Sequence, residues 1–476
     1  MLALSYAWVS VIAMDAHKID DDMDRLEHLL CTAPADSTEL RAIWWSNAMA
    51  IRSTRALALN KVEDVIAYAK EGLAQLSDQQ GFEHQLRSVL GYNLALAYGI
   101  RGQVAQACRA YEAAIAEARQ AAHVIIVAFA GYHLGELYRL CGRLRDAIVV
   151  HQGTLDAIET LTPSSPLLGM AHIGLGAVKC EQFDLPAAQA HLETGIEHCR
   201  RAGIAEIATE GYRWLTCIHQ ARGETMQAQT ALETALQMYR SLNHVEATAR
   251  AMLCQARLFL ARGEKAQIRQ WMTTYQPLPD ASDQATQAET LTLALAHLAL
   301  GEPAEASRLL SKLASALAEG RTVDPVSVSV LEALIEHRQG QMSRALLALD
   351  RALQRAAPKG HVRPFVNAGP PMYAILSAYA ASSASWSGFA NKLLVACQNA
   401  LPSAESTSPQ LAEPLSEREL DVLRLMAAGL KYKEIAEQLY ISVNTVNYHV
   451  KNLYGKLGVR NRTGAIARAR ALELLT

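Results

Sequence analysis

The sequence predicts an all-α chain, a long solenoid of helical hairpins followed by a small four-helix domain, and three observations carry this reading. Ala and Leu dominate while aromatic residues make up only 6% and prolines number 15, a composition that favours helix over sheet. A turn residue, most clearly Gly102, Gly142, Gly223, Gly263, Gly301 and Gly340, recurs about every forty residues and is followed five positions later by a small or apolar side chain. A Pro- and Ser-rich stretch over 401–414 then separates this array from a basic C-terminal segment.

Lys18, Asn60 and Gln182 fill the same phase where Gly is missing, so about nine helix-turn-helix units are expected over residues 1–360. One unit reads Leu94-Ala95-x-x-Tyr98, Gly102, then Ala107-x-x-x-Tyr111-x-x-Ala114; the next reads Leu134-Gly135-x-x-Tyr138, Gly142, Ala147. Small residues facing each other let the two helices of a hairpin approach closely, and Leu and Tyr fill the gap to the next hairpin. The pattern resembles tetratricopeptide repeats, although its period exceeds the usual ~34 residues and the Pro that normally ends a repeat is absent. Longer helices are expected, and the units from Gly263 onward match only loosely.

Such repeats bind ligands on their concave face. Positions ten residues before successive turns are Tyr92, Tyr132, His172 and Arg213, with Glu136, Arg139, Lys179, Glu210 and Gln220 nearby. Tyr92, Tyr132, His172, Lys179 and Arg213 are therefore the expected effector groove, polar and exposed, suited to a small anionic or polyhydroxyl effector or to a regulatory protein. The competing reading is that the aromatics pack between repeats and the charges are solvated. Residues 361–400 form a helical cap, opening on a Pro-rich passage over 361–379 that resembles the corresponding segment of MalT-type regulators.

Residues 401–414 contain three prolines, several serines and few large apolar residues, which describes a tether rather than a core. The domain at 415–476 opens on Leu415-Ser416-Glu417-Arg418-Glu419-Leu420, where Ser416 and Glu419 fit a capping box and Leu415 can staple onto Leu420. Gly429 ends that helix. A second helix is expected over about 433–439, and a tight Tyr440-Ile441-Ser442 turn leads to a third, with Val443, Val446, Val450, Leu453 and Leu457 as one apolar stripe. Its other face presents Asn444, Asn447, Tyr448, Lys451 and Asn452, amides, a phenol and a cation suited to base edges and phosphates.

Charge agrees with that assignment. The net charge of −2 hides ten Lys/Arg against seven Asp/Glu over 411–476, leaving −5 for the rest; within 431–470 eight bases face two acids. A basic end on a mildly acidic body points to a nucleic-acid module.

The run Leu-Ser-Glu-Arg-Glu-Leu, then Lys433-Glu434-Ile435-Ala436, Ile441-Ser442-Val443-Asn444-Thr445-Val446, His449, Tyr454-Gly455-Lys456-Leu457-Gly458-Val459 and Arg462-Thr463 resembles the LuxR-type DNA-binding domain over about sixty residues. Together with the repeats it points to the large MalT-like regulators. The resemblance implies that the third helix lies in the major groove with Asn444, Asn447, Tyr448 and Lys451 toward bases, Asn447 standing where the family usually has lysine. It implies that Lys433, Thr445, Lys456, Arg460, Arg462 and Thr463 meet the backbone of double-stranded DNA, where they would make binding salt-dependent. It further implies pairing of two domains through a last helix over about 462–475, with Ala465, Ile466 and Ala469 as a small-residue face, hence a homodimer or higher oligomer on DNA. Activation of transcription, with RNA polymerase as a partner, is the family expectation.

Other classes find little support. The histidines are dispersed at helical surface phases, and no Ser/His/Asp, Cys/His or paired-carboxylate grouping has local context, so no enzyme, metal or cofactor is expected. MalT-like regulators carry a nucleotide switch, yet G-x-x-x-x-G-K-[ST] does not occur in this sequence. Cysteines 31, 108, 141, 180, 199, 217, 254 and 397 lack metal spacing and most sit where a small apolar residue would pack, as in a reduced cytoplasm, with the DNA-bound regulator on the nucleoid. The apolar Met1–Met14 stretch lacks a basic n-region and a cleavage site and reads as a buried first helix, with no membrane partner. The alternative to a regulator is a repeat scaffold for protein binding, with DNA binding secondary.

Overall fold

In the computed structural model of the chain, the structure describes residues 38–76, 81–241, 245–276, 283–382, 385–400, 415–457, 459 and 461–471. All regular structure among them is helical. The expected turn at Lys18, the Met1–Met14 segment, Cys31 and the 401–414 tether lie outside the described residues. The chain divides into two compact units, Met1–Leu401 and Pro402–Thr476.

Among the described residues of the first unit, sixteen long helices pair into eight hairpins: Thr38–Ala58 with Val62–Gln75, Gly81–Ile100 with Val104–Gln120, Val124–Leu140 with Leu144–Leu161, Leu168–Glu181 with Leu185–Arg201, Ala205–Ala221 with Thr225–Ser241, Val245–Arg262 with Lys265–Thr274, Asp283–Leu300 with Pro303–Ala318, and Pro325–Arg338 with Met342–Ala356. Helices Arg363–Asn367, Pro370–Ala381 and Ser387–Ala400 cap the array.

Each hairpin turn is a left-handed residue that ends the first helix with a backbone bond reaching five residues back, as from Gln103 N–H to Tyr98 O (2.9 Å) and from Arg143 N–H to Tyr138 O (2.7 Å). The left-handed residues are Asn60, Gly102, Gly142, Phe183, Gly223, Gly263, Gly301 and Gly340. Gln182 is therefore one position out: it is right-handed, with φ −81°, and Phe183 makes the turn. Five residues after each turn stand Val65, Ala107, Ala147, Ala188, Ala228, Ile268, Ala306 and Ala345, all buried. Small residues also let helices touch. A Cβ on Gly135 would lie 2.3 Å from the His151 ring and one on Gly174 2.1 Å from the same ring, so this imidazole is wedged between two glycines.

The array winds through more than one turn and closes on itself. Asp283, at the start of its helix, lies against Gly102, where a Cβ would come within 2.7 Å of its carboxylate. Asp324, the N-cap of Pro325–Arg338, stands in the same relation to Gly142, at 2.6 Å. Gln182 Nε2 donates to Lys359 O (3.1 Å) and Val362 N–H to Glu181 O (3.0 Å). Each contact joins residues about 180 positions apart, some four and a half hairpins. The concave face is thereby walled in as an internal channel.

The second unit has helices Glu417–Ala427, Tyr432–Leu439, Val443–Leu457 and Arg462–Ala471 around two small apolar clusters. The Ser416 capping box forms as expected: Glu419 N–H donates to Ser416 Oγ (3.3 Å) and Ser416 N–H to Glu419 Oε2 (2.8 Å).

Candidate nucleic-acid interface and array channel

The helix Val443–Leu457 is positioned by what it buries. Val446, Val450, Leu453 and Leu457 enter the two clusters, while Val443, in the helix's first turn, is 41% exposed and leaves the expected stripe. The turn before it is set by Tyr440, left-handed at φ 54°, and Ser442 caps the helix by accepting from Thr445 N–H (3.1 Å). The opposite face carries Asn444, Asn447, Tyr448 and Lys451, all exposed; Asn452 is half-buried. Sequence reasoning missed Tyr440, 96% exposed beside the start of this helix; an aromatic at a turn position was the available signal.

The expected backbone-contacting residues part into groups. Lys433 is exposed. Thr445 Oγ1 is engaged with Ser442 Oγ at 2.8 Å. Lys456 Nζ donates to Glu419 Oε2 at 2.8 Å, and Arg462 to Met426 O at 2.6 Å, so both cations brace the unit itself. Burial would raise the Glu419 carboxyl, but Lys456 and the Ser416 hydrogen bonds outweigh it and hold the group below the ordinary carboxylate range. Arg460 and the Thr463 side chain lie outside the described residues. Ala465 and Ala469 do not form a free small-residue face: both are fully buried against Leu415, Leu423, Leu453 and Leu457, because a four-helix unit this small needs its last helix to close its own core.

In the array, the channel holds a cavity of about 250 Å³. Tyr132 and Arg213 line it, as do Glu136, Arg139, Glu210 and Gln220; Tyr92, His172 and Lys179 do not. Tyr92 is packed among Tyr111, Phe129 and His133, and burial pushes its phenol well up. His172 faces His191, with their Nδ1 atoms 3.0 Å apart. Burial, then His191 and His198, bring its imidazole down to about 4. The turn at Phe183 explains this difference: counted from it, His172 is eleven residues back, and one residue turns a helix by ~100°. Lys179 pairs with Asp184 at 3.6 Å.

Arg213 is not the exposed groove residue expected from sequence. It pairs with Glu210 at 2.7 Å with 14% of its side chain exposed, and its guanidinium lies 4.6 Å from the Trp214 ring centroid. Arg139 and Arg363 approach the same ring at 4.8 and 5.6 Å. Arg139 also takes Glu136 (2.9 Å) and Glu181 (3.1 Å). His361, buried, reaches Glu181 at 3.3 Å and Asp324 at 3.9 Å. Nor are the histidines all at surface phases, since His151 and His361 are buried. Trp214, Arg257, His361 and Arg363 were missed because the walls come from segments far apart in sequence.

A closed array of helical hairpins joined to a small helix-turn-helix unit defines a repeat-bearing class of regulator-like chains. The family model of the MalT-like TPR region matches residues 47–382, more than half of the chain, and that of the bacterial regulatory proteins of the luxR family matches 413–469. The chain belongs to the MalT-like TPR family, with a luxR-family C-terminal unit. It is 27% identical over 282 residues to the HTH-type transcriptional regulator MalT of Vibrio campbellii, covering 55% of this chain and 31% of that protein. The alignment thus spans about a third of that relative's length. The C-terminal unit is 49% identical over 61 residues to the transcriptional regulatory protein LnrK of Bacillus subtilis, 13% of this chain and 28% of that one. Among solved structures, a Rap protein complexed with Competence and Sporulation Factor aligns with TM-score 0.50 and 13% identity, over 85% of this chain and 98% of that one, a likeness of fold. No helix among the described residues is long and apolar enough to cross a membrane.

Proposed function

We propose that the chain is a sequence-selective, non-enzymatic DNA-binding transcription regulator, an activator that works with RNA polymerase in the cytoplasm, on the nucleoid, and whose repeat array senses an effector. One observation carries the DNA-binding half: a helix buried on one face presents Asn444, Asn447, Tyr448 and Lys451 together on the other, a set that can pair with base edges and phosphates. Lys433 and Arg460 serve the phosphate backbone. Homodimerisation on DNA remains part of the proposal, through surfaces other than Ala465 and Ala469. Selection of the full chain against a randomised duplex library should yield a defined site, and Asn447→Ala should relax discrimination by about 1–3 kcal/mol at one or two base pairs while non-specific binding persists. Unchanged selectivity would remove Asn447 from the reading set.

The second reading is a protein-binding scaffold with DNA binding secondary. A library that returns no preferred sequence would favour it.

A further inference from the structure

The guanidiniums on the wall of the channel cavity are unequally partnered. The carboxylates on its wall are engaged by the chain: Glu136 and Glu181 hold Arg139, Glu181 also holds His361, and Glu206 has a partner as well. Glu210 holds Arg213 and accepts from the Tyr239 hydroxyl. Asp324 accepts from Val326 N–H, Ser327 N–H and Ser327 Oγ.

Two cations remain. Arg257 donates only to Thr292 Oγ1, at 3.3 Å, and Arg363, 8% exposed, only to Cys180 Sγ, at 3.1 Å. Neither forms an ion pair with a carboxylate among the described residues. A guanidinium withdrawn from water without an anion is costly; Arg363 is buried and Arg257 half-buried at the same cavity. Burial, with Arg213 and Arg363 nearby, lowers the Arg257 guanidinium. The Cys217 thiol, on the same wall, is drawn down by the Cys254 hydrogen bond and by Arg363, Arg213 and Arg257.

Size and shape narrow the occupant. An apolar cavity of ~150 Å³ holds a benzene ring and drug-sized pockets begin near ~300 Å³, so about 250 Å³ suits a small metabolite. Leu291 and Leu295, half-buried on the same wall, supply an apolar surface on which such a molecule can lie.

We infer that the channel is a binding site for a small metabolite bearing an oxyanion, carboxylate or phosphate, gripped between Arg257 and Arg363 with its body against Leu291 and Leu295. Guanidinium forks match the two oxygens of either group. The site rests on the sensing half of the proposed function and gives it a ligand class.

Calorimetric titration of the full chain at constant ionic strength tests it, with inorganic phosphate, 3-phosphoglycerate and succinate as probes and glucose as the neutral comparison. At least one oxyanion should bind saturably at one site per chain, and glucose should not; the phosphate and succinate arms separate the two oxyanions. Arg257→Gln and Arg363→Gln should each weaken that binding tenfold or more, whereas Lys392→Gln, which removes an exposed cation on the cap, should leave it unchanged. If Arg363→Gln fails to fold, Arg257→Gln decides, since its guanidinium holds a single hydroxyl. Absence of saturable binding, glucose binding equal to the oxyanions, or unchanged affinity in Arg257→Gln overturns the inference. DNA selection by the same full chain is read separately, so loss of the anion site leaves the regulator reading standing, and anion binding without DNA selection removes the regulator reading alone.

Discussion

The array and the C-terminal unit both carry arginines, lysines and glutamates on helices, and they deploy them in opposite directions. In the array the charges turn inward: Arg139, Arg213, Glu181 and His361 meet around Trp214 with little exposure. On the helix Val443–Leu457 the interior is apolar and the polar set faces outward. The difference teaches that the same residue types carry stability in one unit and remain available for recognition in the other, and that periodicity shows the second use far better than the first.

The largest test of that contrast is Arg139→Met beside Lys451→Met. Removing Arg139 leaves Glu136 without its cation and Glu181 with His361 alone, both largely withdrawn from water, and should cost the array about 3 kcal/mol. Removing exposed Lys451 should change stability by less than ~0.5 kcal/mol and weaken only DNA binding. Chemical denaturation of the full chain reads both. Next come two glycine substitutions of opposite sign. Gly135→Ala drives a methyl into the His151 ring and should destabilise by about 1–3 kcal/mol. Gly455→Ala, where nothing stands within 4 Å, should stabilise its helix by about 0.5–1 kcal/mol, measured as a shift in Tm.

The two lysines of the C-terminal unit sharpen the comparison further. Lys433→Gln should lower affinity on every DNA sequence and flatten the slope of log K against log salt by about one unit, with Tm unchanged. Lys456→Gln should instead lower Tm, because it strips Glu419 of its partner at 2.8 Å; equal effects from both would erase the distinction.

The smallest expected effects are in pH. Burial alone would lower His361, but Asp324 and Glu181 raise it above its ordinary 6.5. Its contribution is therefore full below about 6.5 and lost as pH rises through the raised folded value. Glu419 is depressed below 4.5, so its contribution is full above that value and lost as pH falls through the lowered one. Melting across pH should show His361→Gln flattening the array's loss on the alkaline side; on the acid side both units weaken, the array because His151 and His172, held down to about 4, and Glu181, held down to about 2, take up their protons more readily once unfolded.

Much of this was legible in the sequence. The glycine turns and the buried residue five places later set the hairpins, and the Ser416–Glu419 box set the start of the first C-terminal helix. Even the Phe183 turn could have been found by counting back five from Ala188, since Phe at a left-handed position gives no signal of its own. The channel was not legible, because its walls join helices about 180 residues apart and local spacing cannot tell a residue facing that space from one packed against the next hairpin. Tyr92 and Tyr132 occupy the same phase, yet only Tyr132 meets the cavity. The small-residue face of the last helix misled for a related reason: alanines suited to pairing two domains are equally suited to closing one.

The contacts of Gly102 with Asp283 and Gly142 with Asp324 also bear on how the array folds and evolves. An open solenoid behaves as a one-dimensional chain of neighbours, able to fray from its ends and to gain or lose a repeat with little penalty. Here the seam couples hairpins one full superhelical turn apart, which adds contacts of long sequence separation, slows folding and makes the intervening hairpins unfold together. Duplicating or deleting one hairpin between residues 102 and 283 would bring the wrong helix start to each turn glycine, so this array is fixed in length where open repeat proteins are free to grow.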